Sequence, residues 1–241
     1  MGLLFAVSKL FYKELYEKLL IEGDVSLLDV NPNLPFPEST HADMQIFSDP
    51  VSDEVFVKAG ITASFLSDLK RANKKVTVST DNGPEVYPSC CSLNILLCGQ
   101  YYFHKLAVTD PDVKKHLDSN FRIPVNVNQG YTGCSSCYID TLDLIITQDT
   151  GIRTASSKPS FNCYFIGENI VENISMDGYD HGFIGGCLGY SKVTNTLYVN
   201  GSLSGSIPEL YELLRSAKVN VVEVPDKPLC DIGGIKTIVY K

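Results

Sequence analysis

Two hydrophobic periods alternate along most of this chain. Apolar residues three to four positions apart predict helices, whereas short runs rich in β-branched and aromatic residues predict strands. The helical pattern covers residues 8–21, 64–72, 111–120, 151–158 and 207–217. A β-rich run follows each of these helices, at residues 25–30, 75–80, 123–128, 161–167 and 219–224. The pair Thr109-Asp110 ahead of the third helix is typical of an N-cap, which supports the start predicted for that helix.

Hairpins are predicted between these helix–strand pieces. Polar turns, among them residues 49–53, 99–100 and 192–195, separate pairs of β-rich runs. The five hairpin pieces begin near residues 43, 93, 134, 186 and 234, and the last supplies only one run before the chain ends. A period of roughly 48 residues indicates a repeat. We therefore expect an α/β chain of five helix–strand–hairpin units that form a single domain over residues 1–241.

Composition and charge disfavour several classes of function. The chain is 44% hydrophobic and 20% charged, with a formal net charge of -8 and a pI of about 5.0. A nucleic-acid binder usually has a basic face, so we expect none here, whereas a small cationic ligand is compatible with this charge. The sequence has no run of about 18 apolar residues, so it predicts no membrane-spanning helix. The apolar run Leu3–Val7 is too short for a signal peptide. We expect a cytoplasmic protein whose eight cysteines are reduced.

Four short motifs carry a resemblance to a known fold. They are Asn31-Pro32 with residues 39–45 (STHADMQ), residues 127–134 (VNQGYTGC), residues 182–186 (GFIGG) and residues 228–234 (PLCDIGG). Together with the five-fold repeat they resemble the penteins, the guanidino-group modifying enzymes that include arginine and agmatine deiminases, dimethylarginine hydrolase and amidinotransferases. More closely, they resemble an uncharacterised bacterial family with that fold. The resemblance covers most of residues 30–241 and implies an αβ-ββ propeller of five units with a small-molecule site in its central channel.

The resemblance also implies residues that this chain lacks. The enzymes end on Gly-Gly-x-His-Cys, in which the cysteine attacks the guanidinium carbon. Here the stretch 233–237 reads GGIKT, so Lys236 replaces the histidine and Thr237 replaces the cysteine. An internal Glu-Gly-Gly-Asp of the enzymes corresponds to residues 184–187, which read IGGC and carry neither carboxylate. The usual guanidine mechanism therefore does not transfer to this chain.

Other residues are candidates for the missing chemistry. Cys134 aligns with a hairpin start and is the best replacement nucleophile, unless it is only a small residue packed at a tight turn. His41 and Asp43 lie two positions apart, so on an extended chain both face the same side and orient each other or hold one ligand. The alternative is a solvated strand entrance. His181 is a second acid–base candidate or else an exposed loop histidine.

The remaining candidates follow from the repeat. Five positions near hairpin starts are expected to face the channel and bind substrate: Asp43, Asn94, Gly186, Asp231 and Gly234. Cys134 and Cys137 form a single C-x-x-C, which is half of a zinc site, and on a strand they would face opposite sides. We therefore expect neither a metal nor a cofactor.

Several other side chains are expected to be structural. His104 is placed at the far end of its hairpin or on the surface, and His116 on a helix surface. Cys90 and Cys91, if on a strand, face opposite sides, and Cys98 and Cys163 are interpreted as core thiols.

Three functions fit these observations. The first is an enzyme that acts on a guanidine or amidine with a non-standard cysteine. The second is a non-catalytic module that binds a small molecule on the same scaffold, and the third is a structural or assembly protein. Since a fold does not determine a function, all three remain open at this point, as does the oligomeric state.

Overall fold

The computed structural model describes residues 1–79 and 86–241, so Thr80, the last residue of one predicted β-run, lies outside the described part. The strands of the described residues are β1 (Gly2–Ser8), β2 (Asp24–Leu28), β3 (Ile46–Ser48), β4 (Glu54–Val57), β5 (Lys75–Val78), β6 (Leu96–Cys98), β7 (Tyr101–His104), β8 (Ile123–Asn126), β9 (Ser136–Ile139), β10 (Leu144–Thr147), β11 (Asn162–Phe165), β12 (Leu188–Ser191), β13 (Thr196–Val199), β14 (Asn220–Val222) and β15 (Lys236–Tyr240). The helices are α1 (Lys13–Glu22), α2 (Ala42–Gln45), α3 (Ala63–Arg71), α4 (Pro111–Ser119), α5 (Thr150–Ser156), α6 (Glu168–Val171), α7 (Leu203–Ser206) and α8 (Pro208–Ser216). None of these helices is both long and apolar enough to cross a bilayer.

The described strands form five sheets of three strands each. Their orders are β15-β1-β2 (sheet 1), β3-β4-β5 (sheet 2), β6-β7-β8 (sheet 3), β11-β10-β9 (sheet 4) and β12-β13-β14 (sheet 5). In each sheet the middle strand pairs antiparallel with one neighbour and parallel with the other. A helix precedes the second strand of each parallel pair (β2, β5, β8, β11 and β14), because a parallel connection needs a crossover. The α/β class and the predicted order of helix, strand and hairpin are confirmed.

The N-terminal segment corrects the prediction of a helix over residues 8–21. Residues Gly2–Ser8 form β1, and α1 begins only at Lys13. Strand β1 pairs antiparallel with β15, where Leu4 lies opposite Ile238, and parallel with β2. The chain start therefore completes the hairpin for which the C-terminal run supplied only one strand.

The other predicted elements agree closely with the structure. Helices α3, α4, α5 and α8 begin and end within two residues of their predicted limits. The carboxylate of Asp110 caps α4, because it accepts hydrogen bonds from the backbone N–H groups of Asp112 and Val113. The predicted turns at 49–53, 99–100 and 192–195 each lie between two paired strands.

Hydrophobic clusters connect each sheet to another. Every one of five clusters combines buried side chains from two sheets. Representative pairs are Leu4 with Ile46 (sheets 1 and 2), Phe47 with Tyr102 (sheets 2 and 3), Phe103 with Ile145 (sheets 3 and 4), Ile146 with Leu197 (sheets 4 and 5) and Tyr198 with Phe5 (sheets 5 and 1). The apolar core is therefore distributed between neighbouring sheets.

Two histidines are more buried than predicted. His104 ends β7 and is fully buried rather than at the surface, with Nδ1 2.7 Å from Thr109 Oγ1 and Nε2 3.1 Å from the Cys91 carbonyl oxygen. His116 lies on α4 as predicted, but its side chain is only 9% exposed. Its ring packs edge-on against Phe56, with 5.1 Å between ring centroids, so the prediction of a helix-surface histidine is wrong.

Three cysteines also differ from expectation, while Cys98 is confirmed as a core thiol. Cys163 is exposed because β11 is the outer strand of its sheet. Cys90 and Cys91 lie on a 3-10 turn, not on a strand, and their Sγ atoms are 3.7 Å apart. A helical turn does not send neighbouring side chains to opposite faces as a strand does.

Candidate functional site

The five hairpin starts meet through a series of hydrogen bonds. The thiol of Cys134 donates to Asp43 Oδ2 over 2.7 Å, and Asn94 Nδ2 donates to Cys134 Sγ over 3.2 Å. The N–H of Gly186 donates to the Cys134 carbonyl and the N–H of Gly234 donates to the Gly186 carbonyl, both over 2.8 Å. Five positions that are far apart in the sequence thus lie around one point.

His41 and Asp43 reach this point from a helical turn. The pair was predicted on an extended chain, but Asp43 lies inside α2. Of the two, only His41, which directly precedes α2, has an extended backbone. The Asp43 N–H donates to the Gly233 carbonyl over 2.9 Å, which anchors the turn. Potential ligand atoms of His41, Asp43 and Cys134 all lie within 4.8 Å of one another, and all three residues are buried.

Asn94 fixes the orientation of the thiol. Its side chain is fully buried, and its Oδ1 accepts hydrogen bonds from the N–H groups of Gly133 and Cys134 over 2.6 and 3.1 Å. These bonds leave the amide nitrogen directed at Cys134 Sγ. Cys137, the other cysteine of the C-x-x-C, lies on β9 and does not belong to this cluster among the described residues.

Asp231 is held by backbone donors next to two essential glycines. Its Oδ2 accepts from the N–H of Phe183 over 2.7 Å and its Oδ1 from the N–H of Gly233 over 2.9 Å. A Cβ on Gly186 would overlap this carboxylate. Gly234 has a φ of +74°, in the left-handed region that favours glycine. The glycine pairs therefore allow the close approach of backbones around the site.

A cavity of about 240 Å³ opens beside these residues, and we call it the acidic cavity. Its wall consists of Glu38, His41, Tyr131, Cys134, Met176, Tyr179, Asp180, His181, Phe183 and Asp231. Within the described part of the chain, three carboxyl groups and three aromatic rings line it and no lysine or arginine does. His181 lies in this wall but is exposed, with Nδ1 3.2 Å from the Gly182 carbonyl oxygen.

Glu38 is a candidate that the sequence interpretation missed. It is only 4% exposed, and its Oε1 accepts hydrogen bonds from the hydroxyls of Tyr131 and Tyr179 over 3.1 and 2.8 Å. Its Oε2 is buried without a partner in the structure. The only signal in the sequence is its place directly before the STHADMQ motif.

Burial perturbs the acid groups of the site. It raises the pKa of Asp43 to about 6, an effect that the charges of Lys236 and His41 partly offset. Burial also raises the pKa of Asp231, and burial together with the charge of Asp43 raises the pKa of the Cys134 thiol well above its usual range. Negative charge is thus costly here unless a cation accompanies it.

The residues at the enzymes' His-Cys positions lie elsewhere. Lys236 and Thr237 line a second cavity of about 170 Å³, whose wall also includes Asp43. The hydroxyl of Thr237 donates to the Tyr190 carbonyl over 3.1 Å. The Cys134–Asp43 hydrogen bond therefore joins the walls of both cavities.

Comparisons with known proteins identify a family and a fold. The sequence profile of a family of unknown function (DUF6873) matches residues 6–236, and no curated protein matches the chain. A dimethylarginine dimethylaminohydrolase adduct with 4-chloro-2-hydroxymethylpyridine is similar with a TM-score of 0.59 and 13% identity, over 93% of this chain and 92% of that one. The Pseudomonas aeruginosa enzyme, a cysteine-to-serine mutant complexed with citrulline, has a TM-score of 0.61 and 12% identity over 99% of both chains.

A third similar structure is a longer protein. The ternary complex of AgrE with ornithine and NAD+ has a TM-score of 0.54 and 12% identity. The match covers 98% of this chain but 39% of that one. At such identities the likeness establishes a shared fold and leaves the chemistry to be argued from the residues of this chain.

Proposed function

Because this chain belongs to the family of unknown function (DUF6873) and shares the fold of dimethylarginine dimethylaminohydrolase, we propose that it acts on a small cationic amidine or guanidine in the acidic cavity. The observation that carries the proposal is the convergence of a thiol, an imidazole and a carboxylate in and beside the wall of that cavity. Cys134 is the nucleophile, His41 the acid–base group, and His181 a second acid–base group at the rim.

The cavity suits a planar cation. Glu38 offers a buried oxygen without a partner, and Asp231 lies in the same wall. Carboxylates bind amidinium and guanidinium N–H groups through charge-assisted hydrogen bonds. The rings of Tyr131 and Phe183, whose centroids are 5.9 Å apart, add faces on which a delocalised cation can stack.

The proposed reaction is a thiol-mediated cleavage of a C–N bond. His41 takes the thiol proton of Cys134 as the sulfur forms a bond to the amidinium carbon, the C–N bond to the leaving amine breaks, and His41 passes that proton to the amine. Water then attacks the same carbon while His41 accepts one of its protons, and the C–S bond breaks as His41 returns a proton to restore the thiol. The products are an amine and an amide or urea. Asn94 positions the sulfur, and Asp43 and Asp231 are the carboxylates that bind the cation.

We also propose that the five sheets are the blades of one closed, pseudo-symmetric five-fold propeller, with the hairpin starts on its axis. The pairing of β1 with β15 in one sheet supports this arrangement. So do the five clusters, which pair each sheet with the next and sheet 5 with sheet 1. The chain would then be a single domain over residues 1–241.

A non-catalytic binding module is the second candidate. The observation that favours it is the raised pKa of the Cys134 thiol, since a protonated thiol is a poor nucleophile. A bound cation would oppose that shift through its charge. A panel of amidine, guanidine and ureido compounds, scored for amine release and for thermal shift, separates the two functions. Stabilisation without product would support the module.

A pair of alkylating reagents of equal size tests the proposed nucleophile. Chloroacetamidine is cationic and chloroacetamide is its neutral counterpart. We expect Cys134 to react at least about 10-fold faster with the cationic reagent, because the acidic cavity concentrates it beside the sulfur. The exposed Cys163 provides an internal reference with no such preference. Peptide mass spectrometry assigns the modified cysteine.

Two variants sharpen the experiment. Glu38→Gln removes a cavity carboxylate and should reduce the preference of Cys134 for the cationic reagent, whereas Glu172→Gln removes an exposed carboxylate outside the cavity wall and should not. If Cys134 shows the same preference as Cys163, or none, the assignment of Cys134 as nucleophile is wrong.

A further inference from the structure

The cluster of His41, Asp43 and Cys134 also has the composition of a metal site. Each side chain offers one ligand atom, the three atoms lie within 4.8 Å of one another, and all three residues are buried. We propose that this cluster binds a divalent, thiophilic cation of the zinc class. The inference goes beyond the proposed reaction, because it concerns a different ligand of the same side chains.

Two of the three side chains have a potential metal-ligand atom that makes no hydrogen bond. His41 Nδ1 and Asp43 Oδ1 are buried and make no hydrogen bond in the structure. Leaving such an atom unsatisfied costs on the order of 1–3 kcal/mol. One cation between them would accept a lone pair from each.

The third ligand replaces its proton when it binds the ion. The Cys134 thiol donates to Asp43 Oδ2 over 2.7 Å. A divalent ion takes the place of this proton: the S–H bond breaks, a sulfur–metal bond forms and one H⁺ is released to solvent. A thiolate and a carboxylate together then balance the charge of the ion, and the imidazole binds as a neutral ligand.

The donor set selects the class of ion. One sulfur, one nitrogen and one oxygen ligand suit borderline-soft ions such as Zn²⁺ or Co²⁺. Hard ions such as Ca²⁺ and Mg²⁺ prefer oxygen ligands alone. Three protein ligands leave a fourth position, and the acidic cavity, whose wall includes His41 and Cys134, has room for water or a small molecule there.

A second set of contacts already supports the sulfur. Asn94 Nδ2 donates to Cys134 Sγ over 3.2 Å, and Asn94 is itself fixed by the N–H groups of Gly133 and Cys134. Contacts of this kind orient metal ligands.

A metal-bound thiolate cannot attack an amidine, so the bound ion and the proposed turnover exclude each other. Metal binding and alkylation are thus separate measurements whose failures can be told apart.

The test uses the full chain after removal of metals with a chelator. Titration with ZnCl₂ against a competing chromophoric chelator should give one tight site per chain. CoCl₂ should give a thiolate-to-cobalt charge-transfer band, a signature that a merely structural cysteine does not produce. Cys134→Ala and His41→Gln should each weaken zinc binding by at least about 100-fold, because each removes a direct ligand.

Matched controls keep the result decisive. Cys137→Ser removes a buried cysteine near the site that is not in the cluster, and Asp180→Asn removes an exposed carboxylate of the same cavity; both should bind zinc within a few-fold of the parent. Circular dichroism identifies a variant that fails to fold, and the other ligand variant then decides. Absence of a stoichiometric site, absence of the cobalt band, or zinc binding by both ligand variants as tight as that of the parent would overturn the proposal.

Discussion

His104 makes the stability of this protein depend on pH. Burial lowers its pKa from 6.5 to about 4, while the carbonyl of Cys91 and the backbone of Gly130 act in the opposite direction. The hydroxyl of Thr109 also contacts the ring, and no charged side chain among the described residues acts on it. In the unfolded chain the histidine regains its ordinary pKa, so between about pH 6.5 and pH 4 the unfolded state binds more protons. The free energy of unfolding therefore falls as the pH falls through this window.

Urea unfolding at several pH values measures the effect. Because the pKa of His104 falls from 6.5 to about 4, the loss of stability is on the order of 3 kcal/mol once the pH is below both values. His104→Gln keeps a donor for the Cys91 carbonyl but cannot take up the proton, so its stability should fall less between about pH 7 and pH 4. The exposed His181→Gln variant is the control and should follow the parent. Equal slopes for the parent and His104→Gln would contradict this assignment.

At the level of single residues, the sequence predicts positions better than contacts. The repeat placed His41 and Asp43 near the other hairpin starts, but the turn they occupy was not predictable, because the four residues of α2 are too few to show a helical period. Glu38 was not predictable for another reason. Its burial depends on Tyr131 and Tyr179, which are 93 and 141 positions away in the sequence.

At the level of elements, β1 shows where periodicity fails. Six of its seven residues are buried, so both faces of the strand are apolar and the alternation typical of strands is absent. A continuous apolar run cannot be distinguished from a buried helix by its period alone. Helices α3, α4 and α8, by contrast, bury only one face, as the pairs Phe65 with Leu69 and Leu210 with Leu214 show, and their sequences predict them well.

The N-cap of α4 provides a prediction for a single element. Asp110 is fully buried, accepts hydrogen bonds from two backbone N–H groups of the helix, and also accepts one from the Ser79 hydroxyl. Asp110→Ala should lower the free energy of unfolding by about 2 kcal/mol, because the first turn of the helix loses its cap and Ser79 loses a partner. Asp110→Asn retains an oxygen acceptor and should cost less. Chemical denaturation of both variants compares them, and an equal loss for the two would contradict the capping role.

At the level of the whole molecule, the site exists only through the fold. Its members come from five hairpin starts and from segments that precede them, such as those that contain Glu38 and Asp231, and no single segment contains the whole site. The repeat indicates which positions are equivalent. It does not indicate that a thiol will face a carboxylate at 2.7 Å, because that contact depends on the rotation of each sheet relative to the others.

Ile238 tests whether the five sheets fold as one unit. It lies on β15, is 3% exposed, and packs in the cluster that combines sheets 1 and 2. Ile238→Ala should lower the free energy of unfolding by about 2–5 kcal/mol, as a large-to-small change in a packed core does. If the sheets form one closed ring, the loss is shared by the whole chain, so circular dichroism and tyrosine fluorescence (the chain has no tryptophan) should report one coincident transition. Val193→Ala, at an exposed position in the β12–β13 turn, should change stability by less than about 0.5 kcal/mol. Two separate transitions in the Ile238 variant, with the second at the midpoint of the parent, would instead mean that sheets far from β15 fold independently of it.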